Sequence, residues 1–118
     1  MANTFRMTNS ADVGTSLTTI YTCPSATTAV VIGIMCSNTS ASAVNASIQL
    51  VSTTSNTTNT GQSGSNTSCY IVKDVPITDG TSLEIMSGNK VVMQTGDIIK
   101  LKSSASSSLD IIISYMEM

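Results

Sequence analysis

Cys23, Cys36 and Cys69 are the most reactive side chains in this sequence, and thirty-eight serines and threonines accompany them. A thiol or hydroxyl becomes a working nucleophile beside a base that accepts its proton, and the usual base is missing because there is no histidine. A serine–lysine pair could be drawn from Lys73, Lys90, Lys100 and Lys102, but no spacing selects one. Paired carboxylates would support acid–base chemistry. Asp97 and Asp110 approach each other only if the last two strands form a hairpin, and the bend SSASSS would then put Asp110 beside the turn and Asp97 far from it. Asp97, after Gly96, and Asp79, before Gly80, read instead as turn residues whose carboxylates satisfy nearby backbone. The expectation is a chain with no catalytic residues, not an enzyme.

The same inventory argues against bound groups. With no histidine and no CxxC pair, no metal site is expected. If Leu17–Cys23 and Ala29–Cys36 form a hairpin about Pro24–Thr28, Cys23 lies at the turn and Cys36 at the far end, too distant for a disulfide. The cysteines are expected as reduced, buried or half-buried thiols. The glycine pair of GQSG lacks both the lysine and the helix of a phosphate loop, and no cofactor is implied. Glycosylation sequons at Asn38, Asn45, Asn56 and Asn66 are about as many as this composition gives by chance.

What holds these residues must be one domain, since 118 residues divided in two would leave neither half a stable core. Charged residues are 10 %, against about 25 % in an ordinary soluble domain, and hydroxyls take their place. Twelve formal charges on roughly 6,000 Å² of surface are sparse for a free monomer, which favours a surface partly covered by copies or partners. The net charge of −2 and the scattered Arg6 and lysines provide no attraction for nucleic acid. The longest apolar run, AVVIGIMC at 29–36, is far short of a membrane-spanning helix. MANTFRMTNSADVG lacks the pattern of a signal peptide, so synthesis in the cytoplasm without an anchor is expected.

Alternation of period two runs through most of the chain. It predicts strands near 3–8, 17–23, 29–37, 43–51, 69–75, 82–86, 90–94, 98–102 and 109–116, the first being either a strand or an extended arm over residues 1–9. The fold class is all-β: a single antiparallel sandwich or jelly-roll-like domain of about eight strands over residues 10–118. AVVIGIMCS and LDIIISYM are apolar on both faces, which predicts strands covered on two sides. The uncharged stretch STTSNTTNTGQSGSNTS, 52–68, is expected as a long exposed loop.

The order of these pieces is characteristic: IYTCPSATTAVVIGIMCSNTS, a long polar loop, CYIVKDVPITDGTSLEI, then NKVVMQTGDIIKLKSSASSSLDIIISYMEM. It resembles the small β-sandwich virion proteins of tailed bacteriophages, including those of marine and cyanobacterial phages. The resemblance implies a particle component present in many copies, with no active site. The expected function is a non-enzymatic capsid decoration or cement protein that bridges capsid subunits, made without a leader and located in the virion. A neck, tail or baseplate module is the first alternative. A carbohydrate-binding module using Tyr21, Tyr70 or Tyr115 is the second. The expected partners are the major capsid protein, other virion proteins and further copies in a homo-oligomer such as a trimer, with no nucleic acid and no membrane. Partner contacts are expected at Thr4, Phe5, Arg6, Met7, Met116 and Met118, where an extended segment and end-of-chain methionines come together.

Overall fold

A computed structural model describes residues 3–52, 68–86 and 88–118. The expected loop over 52–68 falls almost wholly outside the described residues. Nine strands occur among the described residues: β1 Thr4–Ser10, β2 Thr18–Thr22, β3 Ala29–Asn38, β4 Val44–Val51, β5 Cys69–Ile77, β6 Ser82–Glu84, β7 Val91–Met93, β8 Ile98–Ser103 and β9 Leu109–Glu117. They form two antiparallel sheets, one ordered β1-β9-β3-β6 with β7 also on β3, the other β2-β8-β4-β5.

The two sheets pack as a sandwich. Alternate residues of each strand point inward, as the pleat dictates. Ala29, Val31, Ile34 and Cys36 of β3 and Ile111, Ile113 and Tyr115 of β9 face Ala46 and Ile48 of β4 and Ile99 and Leu101 of β8; all are buried. Aliphatic β-branched side chains fill this layer, and only two tyrosines contribute rings. Among the described residues, every buried side-chain nitrogen and oxygen has a hydrogen-bond partner.

Two conditional pairings and one expectation about cover are corrected. Residues 17–23 and 29–36 do not form a hairpin: β2 pairs with β8 and β3 lies in the other sheet, so Cys23–Thr28 carries the chain across the sandwich. Backbone bonds from Cys23 N to Asp97 O and from Gly96 N to Cys23 O hold that crossing. The last two strands likewise lie in different sheets, β8 beside β4 and β9 between β1 and β3. The SSASSS bend is therefore an arch between layers rather than a hairpin turn. Local alternation marks strands, but a turn alone does not say whether the next strand pairs or crosses.

The third correction concerns cover. β3 and β9 are buried on one face only, and Ile32, Met35 and Ile112 emerge on the outer face. Among the described residues no third layer lies over them. β5 also runs further than expected, through Pro76, which sits opposite Asn45 on a sheet edge where its missing N–H costs no ladder bond.

Candidate functional site

Side chains able to do chemistry are dispersed and engaged. All three cysteines are free thiols, Cys23 and Cys36 buried and Cys69 exposed at the start of β5. Burial holds the Cys36 thiol up at about 12, and Glu84 adds to the rise. Desolvation also raises Cys23, whose sulfur donates to Thr27 O. Both thiols are thus kept protonated, the opposite of a reactive cysteine.

Asp97 and Asp110 serve different turns. Asp97 Oδ2 accepts from Gln94 N at 3.0 Å, its backbone N–H donates to Gln94 O, and Ser52 Oγ lies 3.3 Å from Oδ1. Asp110 Oδ1 accepts from Asp12 N at 3.0 Å. Ser47 and Lys102 are register partners on β4 and β8. The Ser47 hydroxyl accepts from Asp74 N at 2.9 Å and donates to Asp74 Oδ1, which commits it to clamping a kink where Asp74 has a φ of 54°. Among the described residues, no group of three His, Cys, Asp or Glu side chains could hold a metal. Among the same residues, no helix is long and apolar enough to cross a membrane.

The tyrosines do not form a shared platform. Tyr21 and Tyr115 are buried against each other, centroids 4.4 Å apart, while Tyr70 stands on β5 with Lys73 Nζ 5.5 Å from its ring. Tyr21 Oη donates to Glu117 Oε2 at 2.8 Å, and Arg6 Nε donates to Glu117 Oε1 at 2.8 Å. Burial and the Glu117 carboxylate both push the Tyr21 phenol well above its ordinary range. This cluster joins β1 to β9 and, through Tyr21, one sheet to the other.

The residues expected to meet partners lie where β1 runs along β9. Thr4 pairs with Glu117, Phe5 with Met116, Arg6 with Tyr115 and Met7 with Ser114. The pleat separates them. Phe5 and Met7 point outward, at 73 % and 60 % exposure, whereas Arg6 turns to Glu117. Met116 is half-buried between Phe5 and Val30. Met118 is pinned by its backbone, N to Thr28 O and O to Thr28 N, with its side chain exposed.

Phe5 and Met7 are one edge of a larger apolar surface. Across the sheet the outward residues form rows: Phe5, Met116 and Val30; Met7, Ser114 and Gly33; Asn9, Ile112 and Met35. Ile32 emerges at an irregularity in the β3–β9 register, and Val92 of β7 extends the surface beside Val30. The small Ser114 leaves a groove of about 360 Å³ lined by Phe5, Arg6, Met7, Ile32, Ser114 and Tyr115. Ile32, Met35, Val92, Ile112 and Ser114 were absent from the sequence-based set. For Ile32, Met35 and Ile112 the signal was the two-sided apolar character of AVVIGIMCS and LDIIISYM, read there as core; Val92 and Ser114 lie outside that signal.

No family model matches this sequence, and no curated protein is similar to it. Among solved structures, that of a Bacillus endospore appendage, one of a family of disulfide-linked pili, has the same fold. The TM-score is 0.53 at 10 % identity, covering 98 % of this chain and 85 % of that one. Likeness at that identity speaks to the fold alone.

Proposed function

We propose that this chain is a non-enzymatic structural protein of a tailed-phage virion, a capsid decoration or cement subunit that bridges neighbouring capsid subunits. The observation that carries the reading is the apolar outer face of the β1-β9-β3 sheet. An aliphatic surface crossed by Phe5, Met7, Ile32, Met35, Val92 and Ile112 is costly to leave in water and suited to a permanent contact. The low charge of the whole surface and the structural use of its carboxylates fit the same role. The resemblance in motif order to small phage virion proteins supplies the choice of particle. Many modest contacts repeated by symmetry would hold such a subunit more tightly than one contact does.

A subunit of a homopolymeric fibre is the second reading, favoured by the shared fold with a pilus-forming appendage. Quantitative mass spectrometry of purified particles separates these assignments. Hundreds of copies per particle are expected for a shell subunit. A few dozen or fewer would move the chain to the neck, tail or baseplate, and absence from every particle would overturn the virion reading.

A further inference from the structure

We propose that the outer face of the β1-β9-β3 sheet binds the same face of a second copy of this chain, related to the first by a twofold axis. The inference deepens the structural-subunit reading and rests on it for its biological use. The contact itself would be a property of the isolated chain.

The first argument is the mismatch between composition and cover. β3 and β9 have the two-sided apolar character of strands buried in a three-layer stack, yet the described residues form only two layers. A second sheet of the same kind, packed about 10 Å away, would complete the stack as sheets complete a sandwich.

The second argument is self-complementarity, which a twofold contact requires because one patch must fit itself. This face carries both partners of such a fit. Phe5 and Met7 project as knobs, and the groove over Ser114 lies beside them as the hole. A twofold axis lying in the plane of the contact turns one face over onto the other and sets the knobs of each copy toward the groove of its partner.

The third argument is charge. Two identical faces repel if they carry unbalanced charge, and this one carries little. Arg6 is paired with Glu117, while Glu84 and Asp110 keep their charge and lie at the end of the face away from Phe5 and Met7, Glu84 opposite Met35 on the β6 side and Asp110 opposite Ser37. Lys73, Lys100 and Lys102 all lie on strands of the opposite sheet. A strongly acidic partner would be repelled by those two carboxylates, whereas a second copy seated over Phe5, Met7 and Ser114 leaves them at the rim of the contact.

Area sets the strength. Four strands about 4.8 Å apart and seven residues at about 3.4 Å each give a footprint of roughly 19 by 24 Å. Two such faces would bury on the order of 1,000 Å², near the lower limit of a specific interface. The contact should therefore be a reversible dimer that becomes durable only when repeated in an assembly.

Sedimentation velocity on the full chain, under reducing conditions to silence Cys69, tests this directly. The expected result is a monomer–dimer equilibrium with a Kd of roughly 1–100 μM. Ser114→Arg fills the groove and Met7→Lys charges a knob; each should raise Kd at least about tenfold with the fold intact by circular dichroism. Lys102→Ala, on the other sheet, should leave it unchanged. Peroxide oxidation of Met7 and Met35 should slow as protein concentration rises. A monomer at every concentration, association unaffected by either variant, or Met7 and Met35 oxidation independent of concentration would each overturn the proposal. A monomer present in hundreds of copies on particles would remove this contact and leave the structural reading in place; a dimer found on no particle would do the reverse.

Discussion

Glu117 receives two donors from different parts of the chain, Arg6 on β1 and Tyr21 on β2, and so ties both a sheet edge and the opposite layer to the end of β9. The ion pair is partly exposed on the Arg6 side and adds little by itself. The tyrosine bond is better shielded, and Tyr21→Phe should lower unfolding free energy by about 1 kcal/mol in urea titrations. An unchanged midpoint would show that the phenol contributes only its ring. Alkaline pH provides a second test at this scale. Folded Cys36 keeps its proton to about 12 against an ordinary 9.0, and Cys23, Tyr21 and Tyr115 are raised as well. Deprotonation then favours the unfolded chain, so stability should be level below pH 9 and fall steadily above it. Cys36→Ala should make that decline shallower. None of these couplings was legible in the sequence, because each joins residues far apart in the chain. The turn role of Asp97 was legible, since a carboxylate beside glycine acts on its own few residues, and Asp79 with Gly80 does form a turn.

Strands were readable because burial on one face imposes a period of two, and all nine fall close to the segments marked by alternation. Pairing was not. The turns after Cys23 and after Ser103 look like hairpin turns locally, and both lead into the other sheet. The runs AVVIGIMCS and LDIIISYM were read as two-sided core because composition records what a strand can bury, not what is present to cover it. The distinction has a measurable consequence along β9. Ile113 is fully buried and Ile112 is exposed. Ile113→Ala should cost about 2–5 kcal/mol, whereas Ile112→Thr should change the stability of the monomer by less than about 0.5 kcal/mol. Comparable losses at both positions would mean that the outer face is already covered within one chain.

At the scale of the molecule, the sandwich has two unlike outer surfaces. The β2-β8-β4-β5 sheet carries Lys73, Lys100, Lys102 and Asp74, while the β1-β9-β3 sheet shows aliphatic side chains to the outside. Such polarity is expected of a piece that faces solvent on one side and neighbours on the other. The sparse charge seen in the sequence pointed to covered surface; where that surface lies depended on knowing which residues share a sheet. Residues 4–7 belong to it through Phe5 and Met7, so removing β1 would both strip those knobs and expose the backbone edge of β9. The most direct measurement is a reconstruction of the intact particle at side-chain detail. The account predicts this chain at many symmetry-related positions, with Phe5, Met7, Ile32 and Ile112 packed against a neighbour. Finding that face open to solvent while the lysine-bearing sheet makes the contacts would contradict it.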